Sequence, residues 1–314
     1  MRVVFVGSPP FGTPILERLA SSDFRPALVV TPPGRAKGRG RRVGSQPLAE
    51  RARELGLNLA QPASVRDPDF FAQLQELAPD VILVASYGEF LRKEFLELPR
   101  LAALNVHPSL LPRHRGATPV PAALLAGDET TGITIQRIAL ELDAGDVLVA
   151  CETPIAEGET AGELLERLAE LSGGLCLEAL ELLAKGEAHF TPQDPAGVTF
   201  CKKLEKDDGL LDWSLPARVL ARNVRAYNPW PGAATTLPDE RRLSIWRAHP
   251  VPWDEQAVPG TLVEAEGALV VATGEGALEL EEVQVAGKRA LPAADFQRGA
   301  RLAPGTVLGA KEGA

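Results

Sequence analysis

The apolar positions of the first half of the chain fall into short unbroken runs, separated by stretches with a helical period. VVFVG (3–7), ALVVT (27–31), LNLA (57–60), VILVAS (81–86) and LAALNVH (101–107) read as strands. Runs as dense in Val and Ile as VILVAS are what a strand covered on both faces requires. Between them, PILERLASS (14–22) has proline in its first turn, PLAERARELG (47–56) ends on glycine, and PDFFAQLQELA (68–78) follows; all three read as helices. TPVPAALLAG (118–127) is a further short helix, GITIQRI (132–138) and VLVACETPI (147–155) are further strands, and 160–185 is one long helix. Strands alternating with helices predict an α/β fold with a doubly wound, mostly parallel sheet. Such sheets bind ligands beyond the carboxyl ends of their strands.

The pattern changes after residue 185. KGEAHFTPQDPAGVTFCKK (185–203) is polar and proline-containing, and a linker is expected over 186–207. From 208 onward the apolar runs shorten to AATTL, LSIWRA, GTLVEAEG, ALVVATGEG and ALELEEVQV, divided by turn residues. These predict a small antiparallel OB-like β-barrel domain over 208–314, preceded by a helix at 216–227.

Composition narrows the class. With 314 residues, 45% hydrophobic and 24% charged, the chain can bury one large core or two smaller ones. MRVVFVGSPP is too short in its apolar part for a signal peptide. No stretch approaches the about 20 apolar residues of a membrane helix, so no membrane partner is expected; a cytoplasmic location and a monomer are separate expectations. Cys151, Cys176 and Cys201 are far apart and without CxxC spacing, which argues for reduced thiols and against a metal site.

The net charge of −9 describes the whole surface, whereas phosphate binding is local. TPPGRAKGRGRRVGS (31–45) carries Arg35, Lys37, Arg39, Arg41 and Arg42, four glycines and no acid. A solvated surface loop ordinarily mixes its signs; this one reads as a flexible arm for phosphates. Residues 205–314 hold 12 Lys/Arg against 16 Asp/Glu, so phosphate contact there needs a local patch such as Arg218, Arg222 and Arg225 on one helix. The first strand runs into GSPPFG, which lacks GxGxxG and is followed by no GK[ST]. That excludes the usual dinucleotide and ATP motifs.

The chemistry is concentrated in NVHPSLLPRHRG (105–116). His107 closes a strand, and the two-residue period turns Asn105 to the same side. An amide beside a charged imidazole can stabilise an oxyanion. The same two residues also suit a plain strand cap, and spacing does not separate these readings. The carboxylate to orient the histidine and hold it charged comes best from ELDAGDVL, through Asp143 or Asp146. An Asn-His-Asp set without a nearby serine or cysteine nucleophile suits direct attack by a bound amine on an acyl group.

NVHPSLLPRHRG followed by LDAGD resembles the formyltransferases that use 10-formyltetrahydrofolate, and the likeness runs through VASYGEFL (84–91) and RAYNPWPGA (225–233). The resemblance implies a Rossmann-like formyltransferase domain over 1–185 with the barrel behind it. It implies Asn105, His107 and Asp143 as the catalytic set, and Ser109, Leu110, Leu111 and Pro112 as a folate signature. Val84, Ser86, Tyr87, Gly88 and Leu91 correspond to a loop beside the pterin. The basic run is similar to the tRNA-contacting loop of family members that formylate an aminoacyl-tRNA, which implies initiator methionyl-tRNA as the partner. Members acting on glycinamide ribonucleotide lack a tail of this length. Members acting on UDP-amino sugars have no use for five cations in a glycine-rich loop. A non-catalytic RNA-binding relative would not need the catalytic set.

Overall fold

VVFVG forms the strand β1 (Val3–Gly7), buried at every residue, and it sits in the interior of a seven-stranded sheet. The computed structural model describes residues 1–34, 46–265 and 267–309, and of 36–37 and 42–43 the backbone alone. After β1 come the helix α1 (Gly12–Ala20) and β2 (Leu28–Val30). The short strands β3 (Ala36–Lys37) and β4 (Arg42–Val43), then α2 (Pro47–Glu54) and β5 (Leu59–Ala60), follow. Next are α3 (Pro68–Leu77), β6 (Val81–Ala85), α4 (Lys93–Leu96), β7 (Ala102–His107) and β8 (Arg115–Gly116). Then follow α5 (Pro119–Ala126), β9 (Thr130–Arg137), β10 (Val147–Pro154), α6 (Ala161–Lys185) and β11 (Phe200–Cys201).

The sheet order is β10-β9-β7-β6-β1-β2-β5. Strands β5, β2, β1, β6 and β7 are parallel, whereas β9 runs antiparallel to β7 and β10 antiparallel to β9. The chain moves outward from β1 in one direction through β2 and β5, then returns to the other side of β1 with β6. The crevice at that reversal, beyond the carboxyl ends of β1 and β6, is where such sheets take ligands. Period-two alternation divides each central strand. Val4, Val6, Ile82 and Val84 join one apolar cluster with Phe70 and Leu74 of α3 and Phe95 of α4. Their neighbours Val3, Phe5 and Leu83 are just as buried and point the other way. Each such fully buried side chain contributes about 1.5–3 kcal/mol.

The expected elements are present, with boundaries moved by local chemistry. The first helix begins at Gly12, ahead of Pro14. Asp67 caps α3 by accepting from Asp69 N at 2.9 Å and Phe70 N at 3.1 Å, with Pro68 at the first helical position. In the run expected as a loop, β3 and β4 pair antiparallel, with Ala36 opposite Val43 and Lys37 opposite Arg42. Arg35, Arg39 and Arg41 lie outside the described residues, as do the side chains of Lys37 and Arg42. The polar segment after α6 is tied down: β11 pairs parallel with β8, and Val147 and Thr191 exchange hydrogen bonds at 2.8 Å.

The chain divides into two compact units. Met1–Pro119, Glu129–Ile155 and Leu164–Cys201 form one, and Val120–Asp128, Ala156–Glu163 and Lys202–Ala314 the other. The second unit holds α7 (Ala217–Ala226), β12 (Ala234–Thr236), β13 (Arg242–Val251), β14 (Leu262–Val263), β15 (Leu269–Ala272), β16 (Ala277–Val285), β17 (Leu291–Pro292) and α8 (Ala293–Ala300). Its antiparallel sheet runs β12-β13-β16-β15-β14, with β17 on β16, an open OB-like half-barrel. Leu220 and Val224 of α7 and Phe296 of α8 pack in its core with Ile245, Val271, Leu280 and Val283. Trp213 keeps its polar end satisfied there by donating Nε1–H to Thr235 Oγ1 at 3.0 Å.

Asp80, at the entry to β6, accepts from Arg2 N at 2.7 Å and from Arg100 Nε at 2.8 Å. The Arg2 amide, ahead of the Arg100 guanidinium, holds its carboxyl below the usual range. A lowered carboxylate stabilises the fold above the unfolded value near 3.9, and this stability is lost as pH falls through the folded value. Asp80→Asn is expected to lower the unfolding free energy by about 1 kcal/mol at pH 7. In urea titrations the difference from the parent protein should shrink steadily below about pH 4.

Candidate functional site: a carboxylate gathered at the end of β7

His107 is the last residue of β7, and Asn105 lies two positions before it on the same side. Because β9 is antiparallel to β7, Gln136 stands opposite Asn105 and Thr134 opposite His107. The chain leaving β9 turns back within nine residues, closed by Arg137 N donating to Asp146 O at 2.9 Å. At the crest of that turn Asp143 adopts φ +48°, a left-handed conformation that is costly for a residue with a side chain. The turn depends on Gly145, where a Cβ would fall 1.7 Å from Arg137 O.

This geometry brings the three expected residues together. Asp143 Oδ1 accepts from Asn105 Nδ2 at 3.3 Å and from Gln136 Nε2 at 3.1 Å. Asp143 Oδ2 accepts from Gly116 N at 2.9 Å and lies 3.7 Å from His107 Nδ1. The other ring nitrogen, His107 Nε2, is 3.0 Å from the carbonyl of His114 and donates to it. Asp146 contributes its backbone carbonyl to the turn, so Asp143 is the carboxylate of the pair that meets the histidine.

The imidazole is only 4% exposed. Burial pushes His107 below its ordinary value, with the charge of Asp143 and the His114 carbonyl opposing that push. The sequence suggests a histidine held charged by its carboxylate; its depth in the fold adds a desolvation cost that outweighs the partner. The resting ring is therefore neutral at pH 7, with Nε2–H directed at His114 O and Nδ1 turned toward Asp143.

The signature that follows is mainly a scaffold. Ser109 is fully buried, and its hydroxyl donates to Arg113 O at 2.7 Å. Thr134 Oγ1 donates to Ser109 O at 2.7 Å and accepts from Leu111 N at 3.0 Å. Leu110, Leu111 and Pro112 stay half-exposed around this bracket. His114, in the basic turn, is 7% exposed with φ +58°, and its carbonyl reaches His107.

Val84 and Leu91 are buried in one apolar cluster, against which Tyr87 and Ile138 pack. Burial pushes the Tyr87 phenol up to about 12, with Glu89 adding to it, so it remains a neutral donor. Ser86 and Gly88 are exposed on either side of Tyr87, and Ser86 takes φ +57°. Glu89 fastens this loop by accepting from Ser64 Oγ and, at 3.0 Å, from Val65 N. The strip offers apolar walls and exposed backbone groups to a flat heterocycle.

Sequence reasoning missed Gln136, Gly116, Arg115 and Gln193. Gln136 is recognisable only once the strand register is known. Arg115 is 6% exposed and donates to Gln193 Oε1 through Nε at 3.1 Å and Nη2 at 2.8 Å. Gly116 has φ +127°, and a Cβ there would meet Cys201 O at 2.1 Å. Among the described residues, no group of three or more His, Cys, Asp or Glu could hold a metal ion, and no helix is long and apolar enough to cross a membrane.

The formyl transferase family matches residues 1–180, and its C-terminal domain matches 203–301. The chain belongs to this family. Similar proteins include the methionyl-tRNA formyltransferase of Roseiflexus castenholzii, 44% identical over 98% of this chain and 99% of its own length. That of Thermobifida fusca is 42% identical over 98% and 99%. Among solved structures, HypX from Aquifex aeolicus in complex with tetrahydrofolic acid superposes with TM-score 0.62 at 20% identity. It covers 95% of this chain, which spans about half (47%) of that longer one. The N-formyltransferase of Helicobacter canadensis, in complex with folinic acid and dTDP-3-aminofucose, gives TM-score 0.66 at 13% identity, covering 92% and 100%. At these identities the likeness is one of fold.

In this formyl transferase, Asp143 is the charge that keeps the His107 value from falling further. Asp143→Asn removes that charge and leaves burial unopposed, so the His107 ring resonances should titrate at lower pH than in the parent, or remain neutral throughout. Titration by NMR checks the sign: a value unchanged or raised would mean that the carboxylate does not act on the ring.

Proposed function

We propose that the protein transfers the formyl group of 10-formyltetrahydrofolate to the α-amine of methionine on initiator methionyl-tRNA, acting as a monomer in the cytoplasm. The observation that carries this reading is the meeting of Asn105, His107 and Asp143 at the sheet's ligand-binding end. It does so in a chain aligned end to end with relatives bearing the methionyl-tRNA formyltransferase name. The basic run at 31–45 favours a tRNA over a small amino sugar, since a polyphosphate backbone gains affinity from each added cation.

The pterin would lie along Val84, Tyr87, Leu91 and Ile138, with the exposed backbone of 86–88 reading its polar edge and Leu110 to Pro112 beside the formyl-bearing arm. The methionyl amine attacks the formyl carbon. One Asn105 N–H is directed at Asp143, and the second is free to stabilise the oxyanion of the tetrahedral intermediate. A neutral His107 takes the proton released by the attacking amine on Nδ1, and Asp143 stabilises the imidazolium so formed. As the bond from carbon to the folate nitrogen breaks, that proton passes to the leaving nitrogen. Formyl-methionyl-tRNA and tetrahydrofolate result, and the histidine is returned neutral.

Asn105→Ala and His107→Ala are each expected to lower kcat by about a hundredfold or more, the scale of a lost oxyanion donor or general base. Folate affinity, measured by equilibrium dialysis, should be largely kept. Near-normal turnover of either variant removes that residue from the chemistry.

Replacing Arg39, Arg41 and Arg42 together with alanine should raise KM for methionyl-tRNA steeply while KM for the folate stays constant. The log–log slope of tRNA affinity against salt should fall by about 0.7–0.9 for each phosphate no longer neutralised. Unchanged tRNA kinetics would refute the role of the loop and favour a small-amine acceptor.

A further inference from the structure

The segment after α6 reads in the sequence as a plain connection, yet it sends one side chain into the centre of the site. Gln193 Nε2 lies 2.8 Å from Asp143 O, 2.7 Å from Gly145 O and 3.1 Å from Gln136 Oε1. Its Oε1 accepts from the Arg115 guanidinium. The amide orientation is set by its surroundings, with donors on the oxygen side and carbonyls on the nitrogen side. Two amide hydrogens serve the two shortest contacts, and both end on the backbone of the turn that carries Asp143.

The Arg137–Asp146 hydrogen bond closes the base of that turn, but apolar burial does little for its crest. Asp143 sits at φ +48°, and its neighbours Leu140 and Leu142 are 56% and 60% exposed, so the crest is not held by burial of its own apolar side chains. A strained backbone conformation persists only where its surroundings over-determine it. At the crest, the backbone carbonyls of Asp143 and Gly145 are both gripped by Gln193, alongside the donors that meet the Asp143 carboxylate. Arg115, pinned between Gln193 and Glu141, whose Oε1 is 3.5 Å from Nη1, grips the turn's other side. The segment carrying Gln193 is itself anchored: Thr191 pairs with Val147, Phe190 lies under the Arg137 guanidinium at 4.1 Å, and Thr199 Oγ1 accepts from His114 N at 2.8 Å.

We propose that Gln193 is a positioning residue for formyl transfer. From the segment between the two family-matched regions it fixes the backbone of the Asp143 turn, and so the distance and direction of that carboxylate to His107 and Asn105. This rests on the catalytic role of Asp143 given above. It assigns to the connecting segment a part in the chemistry that binding of either substrate does not need.

The test compares Gln193→Glu, Gln193→Met and Asp143→Asn in the full-length protein, with 10-formyltetrahydrofolate and charged initiator tRNA. Glutamate keeps the size and the acceptor for Arg115 but presents oxygen to the two carbonyls. Methionine keeps the volume without any polar contact. Both should lower kcat by about ten- to a hundredfold, the cost of misplacing a catalytic group by about an ångström. KM for tRNA and the Kd for tetrahydrofolate should stay close to those of the parent. Because a merely structural residue would lower Tm without that split, melting curves are recorded alongside. If the Gln193→Glu variant does not fold, the methionine variant carries the comparison alone. Parent-like kcat in the folded Gln193 variants, with Asp143→Asn inactive, overturns the proposal and leaves the catalytic reading standing. An active Asp143→Asn overturns both.

Discussion

One buried-edge carboxylate organises this site. Asp143 is drawn to the end of β7 by an asparagine, a glutamine and a backbone amide that come from three separate stretches of chain, and His107 stands beside it. An ionised carboxylate taken out of water must be met by donors, and each such charge-assisted bond contributes about 1.5–3 kcal/mol. The donors therefore have to be in place before the charge can stay, and much of the local architecture reads as the means of placing them. The antiparallel register puts Gln136 beside Asn105, and the bracket of Thr134 and Ser109 holds 107–111 in shape. The pairing of β8 with β11 delivers the Gly116 amide.

The cost of that gathering falls on backbone conformation. Asp143, His114 and Ser86 are non-glycine residues with positive φ, and all three lie in the loops around the ligand-binding end of the sheet. Gly116 and Gly145 stand where any side chain would strike a carbonyl. Strain of this kind is tolerable because the surrounding sheet is rigid: β1, β6 and β7 are buried along nearly their whole length, and their register leaves little freedom to relax.

Burial and charge oppose each other at His107, and burial prevails in the free protein. A neutral imidazole with a carboxylate 3.7 Å away is suited to receive a proton during the reaction and to give it up again, since the charged form is stabilised only while the proton is in transit. The groups that meet the carboxylate sit on β7 and β9 and the turn between β9 and β10, so loops elsewhere can change without disturbing them.

By itself, the sequence determined the alternation of strands and helices, the change to short antiparallel strands after residue 208, and the pairing of Asn105 with His107. These follow from periodicities of two and 3.6 residues and from burial, which act over neighbouring positions. It also singled out Asp143, through the spacing of LDAGD that resembles the family, and the charge of the basic run. What only the tertiary structure decided is how the carboxylate is held and how the histidine is charged. Gln136 depends on strand register, Gly116 on a parallel pairing with Cys201 far along the chain, and Gln193 on a segment whose composition reads as a linker. The neutral state of His107 depends on depth below the surface, which no spacing encodes. Hydrogen bonds and desolvation act over ångströms in space between residues far apart along the chain, so they become legible only when the chain has folded.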